Sequence, residues 1–330
     1  MKTLKKVLSL ALIMCMLLQA LPALAASTTT KPADGATTEV PFTKGTAGSN
    51  SFRIPSMVTL SDGTLVAAAD ARWNTTYDGG GLDTIVSHSS DGGKNWSYTF
   101  ANYLGDNGNV YDADESTAFI DPAMAVTANN TIYMLVDLYP YGVALNGDGT
   151  QASPATYKGF NEDGYLLLSG DNHVSYGYYL KEGKIYRETD DAEVPGYTVD
   201  SYFNIKSDDG NTNTNLFFAD SPYKVVRTGF LYLTKSTDKG VTWSEPTLLN
   251  LKTASEQVCL VAPGRGLVTK DGTIVFPCYS YNGNEGSQQS GFIYSKDNGN
   301  SWKRSSALAG ANWSSESAVV ELSDGTLRFF

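Results

Sequence analysis

The octet Ser-Ser-Asp-Gly-Gly-Lys-Asn-Trp occupies residues 89–96, and its pattern S-x-D-x-G-x-x-W returns at 236–243 and 295–302. In such a turn the aspartate side chain caps backbone amides, the glycine adopts a positive φ at little cost, and the tryptophan buries a large apolar surface. Each copy follows a short strand-like run of residues. The octet is therefore predicted to be a hairpin turn that recurs along the chain.

A second turn also recurs, with Asp-Gly-Thr followed by Leu or Ile, at 61–65, 270–274 and 323–327. Asp-Gly between apolar runs is a strong hairpin signal. One unit then reads strand, Asp-Gly turn, strand, loop, strand, octet turn, strand. This order predicts a four-stranded antiparallel blade, and repeated blades predict an all-β protein with a β-propeller fold.

The blades are unequal in length. Blade one spans about residues 50–105 and blade three about 258–308, whereas blade two begins near Ile120 and reaches its third strand only at Gly229. Residues 139–227 are too numerous for a loop, so we predict a β-rich inserted domain there, with the propeller at 46–138 and 228–330. Strand signals inside the insertion lie at 164–168, 175–180, 184–189 and 197–205.

A fourth blade begins at Glu316–Leu322, and the chain stops at Phe330 in the middle of a hairpin. A propeller closes on itself to remove sheet edges, and about three and a half blades cannot close. The sequence is therefore expected to be a piece of a longer protein. The alternative is a chain completed by a partner copy.

The N-terminus has the pattern of a secretory signal peptide. Lys2, Lys5 and Lys6 precede an apolar run at 7–21, and a small-residue site predicts cleavage near Ala25–Ala26. Residues 1–25 are thus predicted to be removed and the protein to be secreted, without a membrane span. Residues 26–45 are rich in Thr, Ala and Gly and are predicted to be a linker, with a strand at Thr38–Phe42.

The charge of the chain excludes some classes of partner, and its cysteine content excludes one class of metal site. Loss of the three signal lysines takes the formal charge from −11 to −14, and so acidic a chain repels nucleic acid and anionic membranes. Cys259 and Cys278 cannot form a CxxC metal framework, and both are predicted to be buried free thiols. No cofactor is predicted, although the Asp-rich turns could hold a structural Ca²⁺.

The motif Phe52-Arg53-Ile54-Pro55, followed by the three octets, resembles the bacterial secreted sialidases (neuraminidases), in which these octets are called Asp boxes. The resemblance runs from about residue 38 to the end and implies a six-bladed propeller. It implies an exo-sialidase that removes terminal sialic acid from glycoconjugates. Sialylated glycans or glycoproteins are then the expected partners, and a monomer is expected.

The resemblance assigns roles to particular residues. Arg53 matches the first of three arginines that hold the substrate carboxylate, because guanidinium groups bind carboxylates bidentately. Pro55 favours an extended Ile54, which would aim Arg53 at the propeller axis. Arg72 matches a further arginine near the sugar, or else it is a solvated strand end. Asp78, on a glycine-rich loop, matches the catalytic acid/base.

Three acidic residues complete the comparison. Asp121, before a proline, resembles the aspartate that contacts the polar groups of the sugar; the alternative is a turn cap. Glu316 resembles the glutamate that assists a tyrosine nucleophile, and strand alternation would turn Glu321 to the opposite face. Asp83 competes with Asp78 for the acid/base role, but it is expected at a strand start.

The resemblance leaves part of the site unmatched. None of the 20 tyrosines fits the position of the nucleophile, and two arginines of the triad have no counterpart. We therefore expect a retaining mechanism for the parent protein and no activity for these 330 residues alone. Hydrolysis and intramolecular trans-sialylation both remain open. Two other functions compete: a non-catalytic secreted propeller that binds glycans or proteins, and a glycosidase acting on a neutral sugar.

Overall fold

A computed structural model describes residues 31–73, 76–104, 117–143, 154, 156–170, 176–284, 287–308 and 313–330. Within these ranges the regular structure is β-strand apart from one 3-10 turn at Thr46–Gly48, so the predicted all-β class is confirmed. The predicted signal peptide lies outside the described residues. The strands are β1 Gly35–Thr38, β2 Ser51–Thr59, β3 Leu65–Arg72, β4 Leu82–Ser89, β5 Asn95–Asn102, β6 Ala118–Val126, β7 Ile132–Tyr139, β8 Leu166–Ser169, β9 Tyr176–Lys181, β10 Lys184–Arg187, β11 Tyr197–Val199, β12 Asn204–Ser207, β13 Asn213–Asn215, β14 Lys224–Val225, β15 Phe230–Ser236, β16 Thr247–Leu249, β17 Val258–Val261, β18 Gly264–Arg265, β19 Leu267–Val268, β20 Ile274–Tyr281, β21 Gln289–Ser295, β22 Lys303–Arg304, β23 Val319–Glu321 and β24 Leu327–Phe329.

Strand pairing reproduces the predicted repeating unit. Blade one is the antiparallel set β2-β3-β4-β5, blade two is β6-β7-β15-β16, and blade three is β17-β20-β21-β22. A further hairpin, β23-β24, follows blade three. The innermost strands adjoin one another, because β18 pairs with β6 and the Ser56 hydroxyl donates a hydrogen bond to the carbonyl oxygen of Gly264.

Two strand predictions are wrong. The strand expected at Thr38–Phe42 lies earlier, as β1, where Gly35 pairs with Tyr98 at the outer edge of blade one. The single strand expected at 197–205 is the hairpin β11–β12, because Phe203 adopts a φ of 66° and the Asp200 carboxylate caps the turn. A side-chain cap and one left-handed residue are enough to reverse an extended chain.

Strands β7 and β15 are neighbours although about ninety residues separate them, and Leu138 pairs with Phe230. The intervening residues form two other sheets, β10-β9-β8-β14 and β11-β12-β13. These sheets share one hydrophobic core with blades one and two, since the rings of Phe217 and Phe230 lie 5.5 Å apart. The predicted division of the chain into domains stays a prediction.

All three octets form the same turn. In the copy at 295–302, the Ser295 hydroxyl lies 2.8 Å from the Asp297 carboxylate, and that carboxylate accepts the amide of Ser301 at 2.9 Å. The Trp302 indole donates to the carbonyl of Gly299, whose φ is 77°. The same bonds recur in the copies at 89–96 and 236–243. The predicted role of each octet residue is thus confirmed.

A fourth copy of the Asp-Gly turn was not predicted from the sequence. Residues 127–131, Thr-Ala-Asn-Asn-Thr, join β6 to β7 with the same Thr127 amide to Thr131 carbonyl bond that closes the other copies. Asn129 takes the place of the aspartate, and Asn130 (φ 65°) takes the place of the glycine. Asparagine tolerates the left-handed region well, so it substitutes for glycine here.

Cys259 and Cys278 are buried and free, as predicted. They lie on the paired strands β17 and β20, and a hydrogen bond with the Cys278 sulfur, together with burial, raises the pKa of the Cys259 thiol. Among the described residues, no helix has the length and hydrophobicity of a membrane span.

Candidate active site

The inner strands of blades one and two carry the same distortion. In β2 the pairing skips from Arg53 to Ser56, and Ile54 has a φ of 55°. In β6 it skips from Ile120 to Ala123, and Asp121 has a φ of 64°. The extended conformation predicted for Ile54 is therefore wrong. A following proline disfavours the right-handed helical region, and a bulge supplies the left-handed alternative and re-aims the neighbouring side chains.

Arg53, Arg72 and Asp78 meet at one end of these strands. The Oδ1 atom of Asp78 accepts hydrogen bonds from Arg53 Nη1 at 3.2 Å and from Arg72 Nη1 at 2.7 Å. The side chains of Arg53 and Asp78 are 48% and 44% exposed, whereas that of Arg72 is 0% exposed. Thus one carboxylate bridges an exposed and a buried guanidinium group.

Arg72 is not a solvated strand end. Its Nη1 atom also donates to the carbonyl oxygens of Thr76 and Tyr77, at 2.9 and 2.6 Å. Its Nη2 atom donates to Asp70 Oδ2 at 2.8 Å. A buried guanidinium requires such compensation, because an unpaired buried charge is strongly destabilising. Arg72 therefore anchors the loop that carries Asp78.

Asp70 is a site residue that sequence reasoning missed. Its carboxylate is completely buried and accepts the Asp121 amide at 3.0 Å through Oδ1. Burial raises the pKa of Asp70 to about 7, although the Arg72 guanidinium and the Asp121 amide oppose that shift. The signal was present, since an aspartate interrupts an alanine-rich strand two residues before an arginine, on the same face.

Asp121 completes a group of carboxylates. Burial raises its pKa to about 8, and the negative charges of Asp70, Glu316 and Asp78 contribute to the rise. The charge of Glu316 thus acts on Asp121. Burial raises the pKa of Tyr279, and the charges of Asp137, Asp121, Glu316 and Asp78 raise it further. Tyr279 was not predicted as a site residue.

The prediction that a strand begins at Glu316 is wrong. Strand β23 begins at Val319, so Glu316 precedes it and is exposed, and strand alternation does not set its direction. Glu321 lies elsewhere, since its carboxylate accepts the amide of Lys270 at 3.0 Å in the turn of blade three.

Asp83 faces away from the Arg53–Asp78 contact. It lies at the start of β4, as expected, and accepts hydrogen bonds from the Trp73 indole at 2.9 Å and the Leu104 amide at 2.7 Å. Burial raises its pKa to about 7. Both oxygens of Asp83 accept hydrogen bonds from structural donors, which makes Asp83 unsuited to the acid/base role.

The chemistry of the site follows from this arrangement. An exposed arginine can bind an anion, the adjacent Asp78 carboxyl can exchange a proton, and Asp121 and Glu316 supply further oxygens. Among the described residues, no grouping of three or more His, Cys, Asp or Glu side chains fits a metal site. An exposed arginine beside a carboxyl group is an arrangement that can bind an anion and exchange a proton with it.

Antiparallel blades, each with an Asp-box turn between its third and fourth strands, and these polar side chains gathered beside the inner strands define an all-β protein of the β-propeller class. The sequence profile of the BNR repeat-like domain matches residues 54–328, and the chain belongs to this family.

Two proteins similar to this chain are an anhydrosialidase and a sialidase. The anhydrosialidase of Macrobdella decora is 28% identical over 331 aligned residues, which cover 86% of this chain and 42% of that protein. Sialidase B of Streptococcus pneumoniae is 29% identical over 327 residues, with coverages of 85% and 45%. The chain thus spans less than half the length of these two relatives.

Two solved structures of intramolecular trans-sialidases are also similar to this chain. The intramolecular trans-sialidase from Ruminococcus gnavus, in complex with oseltamivir carboxylate, is 28% identical with a TM-score of 0.76 and covers 88% of this chain and 68% of that one. The leech intramolecular trans-sialidase, complexed with 2,7-anhydro-Neu5Ac, has the same identity and TM-score, with coverages of 89% and 49%. The predicted resemblance to the sialidases is confirmed.

Proposed function

We propose that this protein is part of an exo-sialidase that cleaves terminal sialic acid from glycoconjugates. The observation that carries the proposal is the contact of Asp78 with both Arg53 and Arg72, at 3.2 and 2.7 Å. An acid beside an exposed guanidinium suits a sugar that bears a carboxylate on its anomeric carbon. A neutral sugar would not require the arginine.

Each residue has a role in this proposal. Arg53 binds the substrate carboxylate through its exposed guanidinium group. Asp78 protonates the glycosidic oxygen, and Arg72 holds the loop that carries it. Asp121 contacts the polar substituents of the sugar, and Glu316 assists a tyrosine nucleophile in a retaining reaction. A neutral phenol suits this role, because an anionic carboxylate nucleophile would be repelled by the substrate's carboxylate.

The proposed architecture is a six-bladed propeller at 46–138 and 228–330, with an inserted β domain at 139–227. Its support is the observed blade pattern, in which β7 pairs with β15 across the intervening sheets. We further propose a secreted monomer that acts on sialylated glycans or glycoproteins, with a signal peptide at residues 1–25. Structural Ca²⁺ remains a separate proposal, and oxygen-rich turns are its support.

Replacing Arg53 tests the carboxylate clamp. We expect Arg53→Ala to weaken the binding of oseltamivir carboxylate about 10- to 100-fold, because a charge-assisted hydrogen bond is lost. The matched control is Arg187→Ala, since Arg187 is 49% exposed and paired with Asp190 inside the insertion. Calorimetric titration measures both. Equal affinity of wild type and the Arg53 variant would contradict the clamp.

Turnover and product analysis separate the remaining alternatives. The assay uses a fluorogenic sialoside with the 330-residue chain and, alongside it, any longer product of the same gene. Release of free sialic acid supports hydrolysis, whereas an anhydro product supports intramolecular trans-sialylation, the activity named for the Ruminococcus gnavus and leech structures. Binding of sialosides without turnover by any product would support the competing function, a non-catalytic glycan-binding propeller.

A further inference from the structure

Neighbouring blades are joined by the same carboxylate-to-amide contact. Asp70 on β3 accepts the amide of Asp121 at 3.0 Å, and Asp137 on β7 accepts the amide of Val261 at 2.9 Å. Both aspartates are 0% exposed, and each pairs with the residue that precedes a bulge, Arg53 or Ile120. Each contact therefore ties the second strand of one blade to the inner strand of the next.

The two contacts differ in their second oxygen. In blade one, Oδ2 of Asp70 accepts Arg72 Nη2 at 2.8 Å. In blade two, Oδ2 of Asp137 has no hydrogen-bond partner among the described residues, and Tyr139 stands where blade one has Arg72, two residues further along the strand. The contact between blades needs only one carboxylate oxygen. In blade one, beside Asp78, the second oxygen of Asp70 also has a partner, Arg72.

We propose that Asp70 is a positioning residue for the candidate active site, holding Arg72 and the Asp121 bulge in register so that Asp78 meets Arg53. The inference rests on the proposed function for its catalytic meaning. Arg72 is buried and binds the Asp78 loop through three acceptors. Asp70 supplies its second counter-charge from within the sheet, where removing one partner would leave a buried charge unpaired.

One carboxylate also sets the distance between two blades of the site. Its Oδ1 atom fixes the Asp121 bulge of blade two, and its Oδ2 atom fixes Arg72 of blade one. Catalytic geometry depends on such support, because small displacements of a reacting group reduce rate strongly. Asp70 itself touches no substrate in this scheme and acts through Arg72 and Asp121.

Replacement of Asp70 by asparagine removes one of these two acceptors. The amide oxygen can serve Arg72 or the Asp121 amide, and the amide nitrogen then faces a donor in the other place. In whichever product of the gene turns over sialosides, we expect Asp70→Asn to weaken oseltamivir carboxylate binding and to lower kcat/KM about 10- to 100-fold. We expect most of the kinetic loss in kcat, because Asp78 acts in the chemical step.

Asp137→Asn is the matched control. It replaces an oxygen that has no partner in the described residues and leaves the Val261 contact intact, so both affinity and kcat/KM should stay within about twofold of wild type. If both variants lost the same amount of affinity and kcat/KM, with equal changes in melting temperature, Asp70 would have only a structural role. That result would overturn the proposal.

Hydrogen exchange tests the positioning without any assay of function. In the Asp70→Asn variant of the 330-residue chain, we expect faster exchange in peptides covering 76–82 and 118–126, and no such change in the Asp137→Asn variant. Unchanged exchange in both peptides of the Asp70 variant would overturn the proposal. The wild-type protein could also fail to bind or cleave sialosides while the Asp70→Asn variant still shows faster exchange. That result would support the positioning role of Asp70 and reject the proposed function.

A double variant covers the case in which Asp70→Asn fails to fold. Asp70→Asn with Arg72→Met removes both members of the buried ion pair, which restores stability where a single replacement leaves an unpaired charge. If Asp70 acts through Arg72, adding Asp70→Asn to Arg72→Met should cost less than about twofold in kcat/KM. Independent, multiplying losses would contradict action through Arg72.

Discussion

At the scale of single residues, the two arginines beside Asp78 have different tasks. Arg53 is 48% exposed, with its guanidinium beside Asp78, whereas Arg72 is buried and hydrogen-bonded to both sides of its strand end. Burial thus separates an arginine able to bind a ligand from one that supports the acid. Asp121 is the third decisive residue, because its environment holds its pKa near 8.

Ligand binding should therefore depend on pH through Asp121. Below pH 8 its carboxyl is neutral, and above pH 8 it carries a charge that repels an anionic ligand. We expect affinity for oseltamivir carboxylate to fall on the order of tenfold between pH 7 and pH 9. Asp121→Asn should abolish this fall, since asparagine accepts the left-handed φ. Calorimetry across the pH range measures it; a flat wild-type profile would contradict the assignment.

At the scale of the elements, the turns also form contacts between blades. The octet turn at 295–302 packs against blade two, where the Tyr133 hydroxyl donates to the carbonyl oxygen of Asn298 at 2.5 Å. The octet turn at 236–243 contacts blade one through the ion pair of Lys239 with Asp62. A repeated turn thus closes a hairpin and joins it to the preceding blade.

Gly299 belongs to the octet turn and also lies at the contact of that turn with blade two. A Cβ added at Gly299 would lie 2.4 Å from Cε1 of the buried Tyr133, whereas a Cβ at Gly63, which has a similar positive φ, meets open space. We expect Gly63→Ala to lower the unfolding free energy by about 1 kcal/mol and Gly299→Ala by about 2 kcal/mol more. Denaturant unfolding measures both, and equal losses would show that the contact with Tyr133 has no effect.

At the scale of the whole molecule, carboxyl groups fall into two sets with opposite effects on stability. The octet aspartates Asp91 and Asp297 have pKa values lowered to about 2 by hydrogen bonds within their turns. Asp70 and Asp83 have pKa values raised to about 7 by burial. The first set stabilises the fold above pH 4 and loses this contribution as pH falls toward 2. The second set contributes most at low pH.

The protein should consequently be more stable at pH 5 than at pH 8. Between these values folded Asp83 gives up a proton that the unfolded chain, with a pKa of about 3.8, has already lost, so the folded state loses about 2–3 kcal/mol for this group. Thermal unfolding at the two pH values measures the difference. Asp83→Asn should reduce the slope, and an unchanged slope in that variant would assign the effect to other carboxyl groups, such as Asp70, or to net charge.

Much of the fold could be predicted from local patterns. The octet and Asp-Gly turns identified the four-stranded unit because each turn is closed by hydrogen bonds spanning at most a few residues. Residues 127–131 escaped because asparagines replace both Asp and Gly in the same backbone geometry. Of the candidate site, Arg53, Arg72 and Asp78 were found through their motif, whereas Asp70 and Tyr279 were missed because they belong to no motif.

The amino-acid sequence by itself determined most strands of the blades, the repeated turns and the resemblance to the sialidases, since all of these depend on neighbours along the chain. Only the tertiary structure decided how the candidate site is held together. Asp70 meets the Asp121 amide 51 residues away, and Asp137 meets the Val261 amide 124 residues away. Buried charges are stable only beside their partners, and folding alone brings those partners together.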